Sequence, residues 1–234
     1  MATVSLLGSV TINTNAGAKT VTATPSANDL IVIVVYHSDS DYAAWSNPTD
    51  NNSSGTYSAV KLLSGAGSKC CMGVYVRNTK ISSATSTVFT APAPPSPTLD
   101  TGGGLAVFKI TGMSRYGMSA VKQSASDYSF TSNISPSISF TSNKLTSNPV
   151  IGGLMCVNGG YTIGPTTGYT EAFDTSYTTP SVQCEGQFIS SGDSTNSMDW
   201  TGTISTSGNG IAGVMIGVEF DASPLSSGNF FLCF

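Results

Sequence analysis

The chain has 234 residues, of which only 9% are charged, and nine Lys plus Arg against 13 Asp plus Glu leave a net charge of −4. A typical globular domain carries about 25% charged residues, so hydration here falls to Ser, Thr, Asn and backbone groups. No basic stripe exists to displace counterions from phosphates, which sets nucleic acid aside, and the longest apolar run, residues 30–36, is too short for a membrane-spanning helix.

The opening "MATVSLLGSVTINTNAG" has neither a positive n-region nor a sustained apolar stretch, so no secretory leader is expected there. No window shows helical periodicity with good helix formers. Short β-branched or aromatic runs recur instead between clusters of Gly, Pro, Asn, Ser and Asp, which is the pattern of an all-β sandwich or barrel. Strands are predicted near 3–12, 19–24, 30–37, 57–63, 70–77, 85–90 and 104–111. A second set follows near 117–123, 136–141, 150–157, 168–173, 182–190, 199–204 and 211–220.

The two sets repeat each other. "KTVTATPSANDLIVIVVY" parallels "SISFTSNKLTSNPVIGGLMCV", an alternating strand, a polar turn and an apolar strand in both. "NPTDNNSSGTYSAV" parallels "GPTTGYTEAF", matching Tyr57 with Tyr169, and "CCMGVYV" parallels "QCEGQFI", matching Cys71 with Cys184. The Gly-rich turns before Leu105 and Ile211 complete the series, and the Pro-rich segment 90–104 reads as a loop longer in the first half. Half of this length leaves an uncovered face unless it packs on its twin. The expected fold is therefore one antiparallel, jelly-roll-like sandwich over 1–222, with halves of about 1–112 and 113–222. An apolar tail, 223–234, falls outside the repeat.

Candidate chemistry is sparse. His37, Asp39 and Asp41 alternate as metal ligands on one strand face would, but they also mark a strand running into a loop. The single Asp-Thr-Gly at Asp100 lacks the partner that a shared-proton carboxylate dyad needs. His37 is the only histidine, so a Ser or Cys nucleophile has one base available, and no Gly-x-Ser-x-Gly elbow occurs. The carboxylate pairs Glu171/Asp174 and Asp193/Asp199 show no spacing that favours catalysis over solvation. Five cysteines without C-x-x-C spacing read as buried thiols, adjacent Cys70 and Cys71 pointing to opposite strand faces. Neither an enzyme nor a cofactor is expected.

Aromatics near strand ends, Tyr42, Trp45, Tyr161 and Tyr177, with Tyr57, Tyr169 and Trp200, provide a carbohydrate-binding alternative, since sugar rings stack on such side chains. For Trp200 the alternating "MDWTGTI" favours the core. In the tail, Phe230, Phe231, Leu232 and Phe234 are either an internal plug or a contact with a neighbouring subunit.

The series "NDLIVIVVY", "WSNPTDNNSSGTYSAVKLL", "KCCMGVYVRN", "STVFTAP" and "GLAVFKITG" resembles a pattern of β-sandwich proteins in tailed-phage virions. It has an apolar strand after Asn-Asp, then an Asp, a Gly and a Thr-Tyr opening a strand, and a closing strand ending in Gly. The resemblance implies a non-enzymatic capsid decoration, cement or fibre protein, assembled in many copies with capsid or other virion proteins in the host cytoplasm. It brings no catalytic residues, and the Pro-rich loop and apolar tail depart from it.

Overall fold

The computed structural model describes residues 1–12, 17–38, 46–53, 55–64, 70–91, 102–128, 135–157, 162–178, 181–204 and 213–224. In the first half the strands are β1 (Thr3–Ile12), β2 (Lys19–Ala23), β3 (Leu30–His37), β4 (Thr49–Asp50), β5 (Tyr57–Ser64), β6 (Cys71–Arg77), β7 (Thr87–Ala91) and β8 (Gly103–Thr111). After a 3-10 turn at Gly117–Ala120 come β9 (Val121–Asp127), β10 (Ser137–Ser139), β11 (Val150–Val157), β12 (Gly164–Pro165), β13 (Thr170–Thr178), β14 (Ser181–Ile189), β15 (Ser197–Thr201) and β16 (Gly213–Phe220).

The repeat is carried through strand by strand. A five-stranded antiparallel sheet in the order β1-β8-β3-β6-β5 has its counterpart in β9-β16-β11-β14-β13, and a three-stranded sheet β2-β7-β4 has its counterpart in β10-β15-β12. Adding eight to each strand number turns the first half into the second.

The antiparallel β-sandwich built from two similar halves is as the sequence suggests, and its sheets lie in four layers. Alternation in β3 shows why. Leu30, Val32, Val34 and Tyr36 face the second half, in a shared core with Ile151, Met155, Cys184, Val214, Ile216 and Phe220. Ile31, Ile33 and Val35 face the opposite way, onto Val21 and Phe89 of the first three-stranded sheet. The second half repeats the arrangement, with Val150, Leu154 and Met215 packed on Ile138, Met198 and Trp200. A strand buried on both faces must be apolar at successive positions, so "LIVIVVY" reads as a continuous run. Each fully buried Val, Leu or Ile contributes roughly 1.5–3 kcal/mol.

Across the shared core the Tyr36 and Phe173 rings stack at 4.8 Å between centroids. Each ring lies over a cross-strand glycine, Tyr36 over Gly104 and Phe173 over Gly186, where an added Cβ would come within 2.1 Å of ring carbon. Only the missing side chain lets these rings lie flat on their own sheets and meet.

Several boundaries differ from the sequence expectation. The strand expected at 117–123 starts at Val121, because residues 117–120 form the 3-10 turn between halves. The strand expected at 168–173 runs on to Thr178, since it hairpins with β14 through the Thr178–Ser181 pair. It is an edge strand, so its polar residues carry no core periodicity. β4 and β12 are two residues long and escape any pattern.

The repeat also aligns differently in two places. Cys184 faces the shared core, whereas Cys71 lies on the opposite strand parity from its core-facing neighbours Cys70 and Met72. Cys184 therefore matches Met72, not Cys71. Leu105 pairs with Val35 and Met215 with Leu154, both on the outer faces, so Leu105 matches Met215 instead of Ile211, which lies outside the described residues. Cys70, Cys71, Cys156 and Cys184 are buried thiols as expected.

Candidate functional site

The Asp, Gly and Tyr of the "TDNNSSGTY" pattern converge at one end of the first sandwich. Asp50 ends β4, Tyr57 opens β5, and Arg77 closes β6 directly across the ladder from Tyr57. The Tyr57 hydroxyl donates to Asp50 Oδ2 at 2.7 Å and Arg77 Nε donates to the same oxygen at 2.8 Å. The remaining guanidinium donors go to Thr79 Oγ1 and to the carbonyls of Thr79, Lys80 and Asn52. Asn52 donates onward to Ser83, Thr85 and Thr87. Burial and the Asp50 carboxylate push the Tyr57 phenol well above its ordinary value. All these groups are engaged with one another, which describes a loop clamp.

In the second half the same tyrosine position makes a different cluster. The Tyr169 hydroxyl donates to Asp193 Oδ2 at 2.6 Å, and Lys144 Nζ lies 3.2 Å from that oxygen. Lys144 is buried, donates to the Ser197 carbonyl and Thr195 Oγ1, and sits over the Phe140 ring. Burial pushes Asp193 up, but hydrogen bonds from Tyr169, Thr195 and Lys144 outweigh it and hold the carboxyl below its usual range. Both halves thus own a tyrosine, carboxylate and cation triad, with only the tyrosine supplied from an equivalent strand position.

Beside this second triad a cleft of about 490 Å³ opens, lined by residues 166–169 and 191–195 with Ile189, Ser197 and Asp199. Its volume falls in the ligand-pocket range of about 300–1,000 Å³. Asp199 Oδ1 accepts from Ser137 Oγ at 2.5 Å and Oδ2 from Ser197 Oγ at 2.9 Å. No described Lys or Arg forms an ion pair with Asp199. Asp193 and Asp199, distant from any motif in sequence, are thereby brought to one wall.

The other carboxylate pair also converges. Asp174 stands across the ladder from Glu185, and Glu171 across from Gln187. Glu185 is wholly buried and, among the described residues, neither of its oxygens has a hydrogen-bond partner. Burial, reinforced by Glu171 and Asp174, raises its carboxyl to about 9. The group is neutral at pH 7.

Tyr42, Trp45, Tyr161, Phe230, Phe231, Leu232 and Phe234 lie outside the described residues, as do Asp39, Asp41 and Asp100. Tyr177 is placed in β13 opposite Val182 by its backbone alone. His37 is buried with Nδ1 3.4 Å from Lys19 Nζ. Burial and the Lys19 charge lower the ring to about 3, and one ring nitrogen faces the Lys19 ammonium. Trp200 is core, as its alternation predicts. Of the aromatics named for binding, Tyr169 lines the cleft. Lys144 escaped sequence reasoning, having only its position in a polar turn, and Glu185 carried a faint signal as the one charge inside "VQCEGQFI".

No protein-family model matches this sequence, and no curated protein matches it. Among the described residues no cluster of His, Cys, Asp and Glu has metal-binding geometry.

Proposed function

We propose that this chain is a non-enzymatic structural protein of a tailed-phage virion, a decoration or cement subunit bound to the capsid in many copies. The observation that carries the reading is the duplicated eight-stranded, double-sheet unit, an architecture common to viral capsid and lectin domains. Fold alone does not fix function. The virion-like series of strand and turn motifs narrows the choice, and its Asp50, Gly55 and Tyr57 belong to a clamp that stiffens the loop end of the first sandwich. In this reading the tail residues Phe230, Phe231, Leu232 and Phe234 supply the contact with a neighbouring subunit.

Co-sedimentation of the purified chain with assembled capsids tests the proposal, with binding at fixed stoichiometry expected. Deleting residues 229–234 should abolish co-sedimentation and leave the melting temperature unchanged. Retained binding with a lowered melting temperature would make the tail an internal plug. A carbohydrate- or receptor-binding fibre module is the second reading, favoured by the cleft beside Tyr169, and a glycan-array response without capsid binding would put it first.

A further inference from the structure

The duplication allows each half to be used as a reference for the other. In the first half Arg77 is the cross-strand neighbour of Tyr57, and its guanidinium lies against the carboxylate that the tyrosine hydroxyl also binds. In the second half the β13–β14 ladder has Thr170 opposite Phe188, so one step further Ile189 takes the place of Arg77 beside Tyr169. Ile189 has no charge to offer, and both Ile189 and Tyr169 line the open cleft. Lys144 reaches Asp193 from a different loop and neutralises it. Among the described residues the Asp199 carboxylate is left with hydroxyl partners and no cation.

We propose that this cleft receives an arginine side chain from a partner protein, with Asp199 as its counter-charge. The guanidinium of Arg77 satisfies its fork of donors with one carboxylate, a threonine hydroxyl and loop carbonyls. The cleft is lined by residues that carry the same kinds of acceptor, Asp199 with Thr167, Ser191, Gly192 and Ser194. A planar group with five donors suits such a wall better than an ammonium, which concentrates its charge at a point. Among the described residues Tyr169 is the one aromatic on the wall and its hydroxyl is committed to Asp193, so these residues offer a sugar ring no paired stacking faces. The site does not depend on the chain being a virion protein, because the recognition elements lie within one molecule.

The test is a titration of the ¹⁵N-labelled full chain with Nα-acetyl-arginine amide, followed through the amide resonances of residues 166–169 and 191–199. Its neutral isostere, Nα-acetyl-citrulline amide, is the control. Saturable shifts confined to those residues are expected with arginine and not with citrulline, up to about 20 mM ligand. Ile189→Arg should place an internal guanidinium in the cleft and abolish the response. Asp199→Asn, a change at a partly exposed residue, should weaken it about tenfold and keeps the test usable if the first variant fails to fold. The proposal is overturned by the absence of saturable shifts, by an equal response to citrulline or to mannose, or by Asp199→Asn binding as tightly as the parent.

Discussion

Glu185 is the residue whose protonation the fold has most clearly inverted. Its carboxyl titrates near 4.5 in an unfolded chain and near 9 in the folded one, because burial and the charges of Glu171 and Asp174 oppose ionisation. The folded state therefore holds the extra proton, and stability contributed by the neutral form is complete below pH 4.5 and is lost as pH rises toward 9. Two other buried groups act with opposite sign. His37, lowered to about 3, makes stability rise with pH up to 6.5, and Lys19, lowered by burial to about 8, does so from there to 10.5. Between pH 6.5 and 8 Glu185 is the described group left uncompensated. The melting temperature should fall across this window, with a slope of at most about 1.4 kcal/mol per pH unit. Glu185→Gln should flatten the slope and raise the melting temperature at pH 8, as measured by thermal denaturation in matched buffers. A parent protein with pH-independent melting over this range would show Glu185 to be solvated.

At the scale of elements, the β5–β6 hairpin end shows how a strand terminus is secured. Arg77 is buried with all its donors used, and removing it would leave the Asp50 carboxylate in a dry site without its cation. Arg77→Ala should cost about 3–5 kcal/mol, the usual penalty for breaking a buried pair. Tyr57→Phe should cost about 1.5–3 kcal/mol, the loss of one hydrogen bond to a charged acceptor. Chemical denaturation of both variants checks the ordering, and equal costs would mean that Asp50 finds another partner. The long strands could be read in advance because a residue's face follows from its parity: "LIVIVVY", "CMGVYV" and "VIGGLMC" are apolar on both sides, and both sides are buried. Register was less legible. Aligning Cys71 with Cys184 matched residue type but crossed parity, an error that only the packing of Met72 and Cys184 into one core reveals. The triads were illegible for a related reason. Asp50 ends strand β4 whereas Asp193 lies in the loop between β14 and β15, and no period connects Lys144 to Tyr169 across the layers.

For the whole molecule the question is whether two complete sandwiches behave as one. Each half has its own outer core, around Phe89 in the first and Trp200 in the second, yet the shared core between the five-stranded sheets is the larger cluster. Separating the halves would bare Val32, Val34, Val74 and Phe108 on one side and Ile151, Val214, Ile216 and Val218 on the other, all fully buried in the intact chain. Monomeric soluble proteins seldom expose a continuous apolar face of that kind. Neither half can then keep its inner sheet in water while the other is unfolded, and the two should melt together despite their independent outer cores. Scanning calorimetry of the full chain should give one transition whose calorimetric and van't Hoff enthalpies agree. Ile216→Ala, which removes buried volume from the second half's side of the shared core, should lower that transition by about 2–5 kcal/mol. It should also reduce amide protection in β3 and β6 of the first half. Two resolved transitions, or a loss of protection confined to residues after 120, would show that the halves unfold independently and that the shared core only joins them.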